Sequence, residues 1–274
     1  MKFILDLFFQ NLSIKIFYRN NLNQKINNII KTNRSFLDSV EQFLPEEEYQ
    51  LNDYGIQKRI YNQMDKNISD LPTYSDFIVF LITNVFSRKD INYLEIGVSV
   101  LKNFLQVNSG VQNVNLVAYD INNINPTFKN LSSYSVNGNK LRYFQGSVLS
   151  KNDAEKFKKD FPDKFDFIFS DALHTPEGIR SEYDLIIKDS LAKNFLIYYD
   201  DLDFVGLEEE FLRIKADISK ARNQQINFYT FLIYGWIGNN EKLHKNGIIT
   251  NINIESVMNN ENLKIYKFKK MNQT

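Results

Sequence analysis

The residues able to do chemistry sit at the ends of short apolar runs. LEIGVSV places Glu95, Gly97 and Ser99 where a strand gives way to a helix, and the missing side chain of Gly97 lets a ligand approach the backbone closely. The run ending in AYD puts Asp120 roughly 20 residues further on, where open parallel sheets grip the two hydroxyls of an adenosine ribose. FDFIFS is followed by DALH, which supplies Asp171 and His174, and NFLIYY is followed by Asp200 and Asp201. An acid or an imidazole at such a mouth is a candidate general base. Three carboxylates gathered there repel unless a cation compensates, and a hard divalent cation takes oxygen ligands. Plainer readings stand beside these: Gly97 as a tight turn, Asp120 as a solvated strand end, and His174, Asp200 and Asp201 as helix caps.

The residue inventory narrows the chemistry. Cysteine is absent, so disulfides, thiolate zinc and thiol nucleophiles are excluded. His174 and His244 are the only histidines, which argues against a multi-histidine metal site and for oxygen ligands such as Mg²⁺ prefers. Lys plus Arg equals Asp plus Glu at 33 each, which removes the basic excess a nucleic-acid partner demands. The first apolar run is short and broken by Asp6, so neither a leader nor a transmembrane segment is expected, and the expected location is cytoplasmic. Phe3, Ile4, Leu7, Phe8, Leu12 and Ile16 recur at helical spacing, which predicts an amphipathic helix packed on its own domain or on a second subunit, with a membrane-surface anchor as the alternative. A homo-oligomer is left open.

These residues need a scaffold that brings strand ends together. Residues 1–72 read as an N-terminal helical cap, with a soft boundary at Leu71-Pro72. Residues 73–274 alternate apolar runs with amphipathic stretches, the pattern of an α/β, Rossmann-like doubly wound and mainly parallel sheet. Strands are predicted at Asn92–Ile96, Val114–Tyr119, Phe165–Ser170 and Asn194–Tyr199, and helices at Ser75–Phe86, Lys151–Asp160 and Thr175–Asp189. After Asp203 come a long helix and two β-rich stretches, Asn227–Ile237 and Leu263–Phe268, suited to an antiparallel edge.

Taken in order, LEIGVSV, AYD, YFQGSV, FDFIFSDALHTPEG and FLIYYDDL resemble the class I S-adenosylmethionine-dependent methyltransferases, over about residues 73–203. The resemblance implies that Glu95, Gly97 and Ser99 border the methionine end of the cofactor, that Asp120 holds its ribose, and that Gln145, Gly146 and Ser147 border its adenine. Ser147 stands where an acid is common. SDALHTPEG is similar to the DxxH loop of members that methylate hydroxyls of small molecules, sugars among them, with Asp171 or His174 as base. Asp171, Asp200 and Asp201 match the magnesium ligands of the macrolide-sugar enzymes, although Leu173 replaces a second acid of that loop. Val100-Leu101 stands where the family's last glycine falls, so Leu101 is expected to crowd the cofactor. The acceptor wall is expected from the cap and from Tyr183, Tyr198, Phe204 and Trp236.

The implied activity is methyl transfer from S-adenosylmethionine to a small-molecule hydroxyl. Leu101 and Leu173 are the grounds for the alternative, a non-catalytic accessory or binding module. A nicotinamide dehydrogenase is disfavoured, because a pyrophosphate needs further glycines at the first turn.

Overall fold

Residues 73–86, 90–99, 101–124, 129–235, 243–260 and 269–270 are described by the computed structural model. The expected cap, Trp236 and Leu263–Phe268 lie outside them. The chain enters through α1 (Tyr74–Val85), whose first turn is closed by a reciprocal cap: Asp76 N donates to the Thr73 hydroxyl, and Thr73 N donates to Asp76 Oδ2 at 2.8 Å. Then follow β1 (Ile91–Ile96), α2 (Lys102–Gly110), β2 (Val114–Asp120), β3 (Lys140–Gln145), α3 (Lys151–Asp160) and β4 (Phe165–Ser170). Next come α4 (Pro176–Glu182), β5 (Leu191–Tyr199), α5 (Leu207–Arg222), β6 (Asn227–Tyr234), β7 (Leu243–Thr250), α6 (Glu255–Asn260) and a two-residue β8 (Lys269–Lys270).

The strands form one sheet in the order β3-β2-β1-β4-β5-β7-β6-β8. Strands β1 to β5 pair in parallel, while β7 runs antiparallel to both β5 and β6. This is the expected Rossmann-like, mainly parallel doubly wound sheet with an antiparallel edge. The chain winds outward from β1 to β3 and then returns to β4 beside β1, which opens a crevice past the carboxyl ends of β1 and β4.

Alternation along β1 assigns its faces. Tyr93 packs with α1 and α2 residues such as Phe77, Phe80 and Phe104, whereas Leu94 and Ile96 pack with α3 to α5 residues such as Phe157, Ile179 and Phe211. Tyr198 and Tyr183 belong to these two cores, so neither is the acceptor wall expected of it. Strand β3 was not anticipated, and helix α2 was anticipated only as the helix after the Gly97 turn, without bounds. Strand β3 leaves Lys140, Arg142 and Gln145 exposed, and α2 carries Asn103, Asn108 and Ser109, which weaken its helical signature. The predicted helix at Thr175–Asp189 is present but widens into a π-turn over Tyr183–Ile187. Among the described residues no helix is long and apolar enough to cross a membrane.

Candidate functional site

Parallel pairing continues past the strand ends and aligns the loops at one edge. Gly97 N donates to Tyr119 O at 2.8 Å, Gly146 N to Asp120 O at 2.8 Å, Asp171 N to Ile96 O at 2.8 Å and Asp200 N to Ser170 O at 3.1 Å. A cavity of about 420 Å³ opens over this edge. Its lining includes Glu95, Gly97, Ser99, Asp120, Gly146, Ser147, Asp171 and His174. Gln145 is not among the lining residues; its side chain is exposed and donates to Ile121 O at 3.3 Å.

Asp120 is buried and does more than face the cavity. Its Oδ2 accepts from Ser99 N at 2.7 Å and its Oδ1 from Asn122 N at 2.9 Å, so it ties the β1 turn to the end of β2. Glu95 Oε2 accepts from the Tyr93 hydroxyl at 2.7 Å and from Asn103 Nδ2 at 2.9 Å. Burial, reinforced by the Glu95 charge, holds the Tyr93 phenol well above its usual range, so it serves as a donor. Asn103 also lines the cavity, and its buried Oδ1 has no hydrogen-bond partner. Sequence reasoning missed Asn103, the second residue of α2, six positions after Gly97 and bonded to Glu95.

Leu101 does not meet the expectation of crowding. It adopts the left-handed conformation glycine would take, with φ 70°, but its side chain is fully buried in the core shared with α1 and is not part of the cavity wall. The sign of φ decides where a side chain points, and residue type alone does not carry that information.

At the far end the charged groups alternate. His174 Nε2 contacts Asp171 Oδ1 at 3.1 Å and its Nδ1 contacts Asp201 Oδ2 at 3.3 Å, while His244 Nδ1 contacts Asp201 Oδ1 at 2.6 Å. Both histidines of the chain therefore converge on Asp201. The hydrogen bond to Asp171 raises the affinity of His174 for its proton, against burial, and the charges of Asp171, Asp201 and Asp200 add to it. Burial, with the charges of Asp171 and Asp201, pushes Asp200 far above the carboxylate range. Burial also acts upward on Asp201, but the hydrogen bond and charge of His244 outweigh it and leave its carboxyl below its ordinary value. The helix caps proposed as plain readings are filled by other residues: Thr175 caps α4, with Pro176 in its first turn, and Gly206 precedes α5. Phe204 is half exposed, with its ring centroid 5.3 Å from that of His174.

Of the three carboxylates expected to hold a metal, Asp200 and Asp201 lie together with His244, one ligand atom of each falling within 4.8 Å of the others. Asp171 is not in that set and adjoins it through His174. Sequence reasoning missed His244 because β7 was not foreseen.

Behind the Asp171 loop, Glu182 is fully buried, and Ser170 Oγ donates to its Oε2 at 2.5 Å. Burial pushes this carboxyl up to about 7, against hydrogen bonds from Ser170 and the Leu173 backbone. The folded state thus binds a proton between about pH 4.5 and 7 that the unfolded chain has already released. Stability from this group is greatest below the unfolded value and falls as pH rises through the folded one, by on the order of 3 kcal/mol. Glu182→Gln is expected to abolish that loss. Urea unfolding of both proteins from pH 4.5 to 8.5 checks it, and parallel pH profiles would show that Glu182 ionises without penalty.

The chain matches no protein-family model and no curated protein. Solved structures of similar outline include the O-methyltransferase from Bacillus cereus in complex with SAH, at 13% identity and a TM-score of 0.43, covering 83% of this chain and 90% of that one. Another is the O-methyltransferase TomG from Streptomyces achromogenes, involved in tomaymycin synthesis and solved with SAM, at 10% identity and a TM-score of 0.40, covering 90% of this chain and 95% of that one.

Proposed function

We propose that this chain is an S-adenosylmethionine-dependent methyltransferase acting on a hydroxyl of a small molecule, sugars included. The observation that supports the reading is one cavity past the carboxyl ends of β1 and β4, lined by the buried Asp120 and by Asp171 and His174. The residues fit the cofactor. Asp120 is the diol acceptor, and Ile121 and Leu149, exposed apolar residues on the lining, flank an adenine beside Gly146 and Ser147. The unpartnered Asn103 Oδ1, next to the Glu95 carboxylate, offers an acceptor to the methionine ammonium.

When bound, S-adenosylmethionine supplies the electrophilic methyl: its S–CH₃ bond breaks as the acceptor O–CH₃ bond forms, leaving S-adenosylhomocysteine. The chain's own work is alignment, exclusion of water and removal of the hydroxyl proton. Asp171 faces the cavity and takes that proton, with His174 holding its carboxylate in place. His174, with both ring nitrogens against carboxylates, serves as base only after one contact opens. Phe204 and Leu173, half exposed at the mouth, pack on the acceptor. Asp171, Asp200 and Asp201 are the carboxylates through which a divalent cation would lower the hydroxyl's pKa.

Titration calorimetry with S-adenosylhomocysteine tests the reading, and a folded protein that does not bind it would sink the proposal. Asp120→Ala is expected to weaken that binding by about 10- to 100-fold, the loss of hydrogen bonds to a charged acceptor. Because Ser99 N and Asn122 N lose their acceptor too, the same substitution lowers stability by about 1–2 kcal/mol. Unchanged affinity would remove Asp120 from the cofactor site.

A further inference from the structure

We infer that residues 1–34 of this same chain dock on a groove between the β5–α5 loop and β7, over the exposed Phe204 and Val205, and so cover the acceptor end of the cavity. The docking stands on its own; only its consequence for an acceptor rests on the proposed methyl transfer.

The groove is separate from the cavity described above. It encloses about 330 Å³, and its wall includes Asp203, Phe204, Glu208, Glu209 and Lys245. Phe204 is 52% exposed and Val205, next in the chain, 94%, while Leu173 on the neighbouring β4 loop is exposed as well. One exposed apolar side chain is ordinary, but three on adjoining loops at one edge of the sheet make a surface suited to being covered. The loop is fastened: Leu202 N donates to Lys245 O at 2.6 Å, Lys245 N to Asp203 Oδ1 at 3.4 Å, and Lys245 Nζ pairs with Glu208. Its apolar tip is therefore held outward by a built turn.

Topology says which segment is at hand. Strand β7 is antiparallel to both β5 and β6, so β6 runs the same way as β5 and ends at the same edge as the site. Thr73 bridges Tyr234, the last residue of β6, and Tyr234 pairs with Leu243, two residues before Lys245 in the groove wall. At strand spacings of about 4.8 Å across and 3.4 Å along, Thr73 stands roughly 10–15 Å from that wall. Residues 1–72 thus join the described domain beside the groove.

Charge selects the piece. In residues 1–34 six Lys and Arg stand against Asp6 alone, whereas residues 35–72 carry eight acids against three bases. The groove presents Asp203, Glu208 and Glu209 against Lys245, so it complements the first stretch and repels the second. Phe3, Ile4, Leu7, Phe8, Leu12 and Ile16 supply apolar residues at helical spacing for Phe204 and Val205, and Lys15 and Arg19 supply cations for the acids. The Phe204 ring lies 5.3 Å from that of His174, so a segment resting on Phe204 overhangs His174.

The test exploits the absence of cysteine, which makes an introduced pair the sole source of a disulfide. Full chains carrying Val205→Cys with Phe8→Cys, or Val205→Cys with Leu12→Cys, are oxidised at low protein concentration and read by mass spectrometry. The control is Phe8→Cys with Lys220→Cys, since Lys220 lies near the other end of α5, about 20 Å from its first residue. Val205 is almost wholly exposed, so a cysteine there leaves the core untouched. At least one Val205 pair is expected to close within the chain about 10-fold or more faster than the control. Lys15→Glu with Arg19→Glu should slow that closure by about threefold or more at low salt. Equal rates in the control, no intrachain bond, or no response to the charge reversal would overturn the inference. Disulfides formed only between two copies would overturn it in favour of a second copy, and loss of the intrachain bond to phosphatidylserine vesicles would do so in favour of a lipid surface. Titration calorimetry with S-adenosylhomocysteine on the unmodified chain tests the methyl-transfer reading separately, so either idea can fail alone.

Discussion

Gly97→Ala is expected to destabilise the protein by about 3–5 kcal/mol and to disrupt the cavity at the same time. Gly97 has φ 89°, outside the region L-residues adopt without strain. A Cβ there would lie 2.2 Å from Asp171 O and 2.5 Å from Ala172 Cα. Both are backbone atoms, and neither can rotate aside. The loop that holds them is fastened by Asp171 N donating to Ile96 O, and the Gly97 turn by its own N donating to Tyr119 O. Relief therefore requires the β1 and β4 ends to part, which moves Asp171 away from the rest of the site. The glycine is needed here for the approach of a neighbouring loop, in addition to any ligand. Urea denaturation checks the size of the effect, and a loss below about 1 kcal/mol would mean that the β4 loop yields easily.

Leu101→Gly separates the core from the cavity. Removing a fully buried leucine side chain costs about 2–5 kcal/mol, and release of the left-handed strain at φ 70° returns about 1–2 kcal/mol. A net loss of about 2 kcal/mol, within a range of about 0–4, is expected, with S-adenosylhomocysteine affinity unchanged within about threefold. Tighter binding in the variant would mean that the side chain reaches the cofactor after all. The grounds that Leu101 gave for a non-catalytic module fall away with this geometry.

Much of the sheet could be read in advance because its central strands are apolar on both faces. Phe165–Ser170 was delimited to the residue, and the acids following β2, β4 and β5 were placed correctly at one edge. Periodicity fails where the apolar alternation is broken. The β3 sequence KLRYFQ exposes Lys140, Arg142 and Gln145 at unequal spacing, and LHKNGIIT in β7 is only half-buried over its first three residues. Losing β7 meant losing His244 and Asn246, which reach Asp201 and Asp200 from more than forty positions away. No local spacing reports such a contact. Leu101 failed differently: its residue type suggested a steric block, while its backbone torsion turned the side chain inward.

Strand β7 also fixes when the site comes into being. It is made after β6 yet lies inside it, wedged against β5. During translation the domain from β1 to β5 can assemble first, leaving the polar edge of β5 unpaired and the pair Asp200 and Asp201 without His244 and Asn246. The hairpin of β6 and β7 must then dock as a unit, β7 leading, which shields an edge that would otherwise recruit other chains. Assembly of the charged mouth is thereby coupled to completion of the sheet, and a nascent chain stalled before Leu243 is expected to expose the β5 edge and to leave Asp200 and Asp201 without His244 and Asn246.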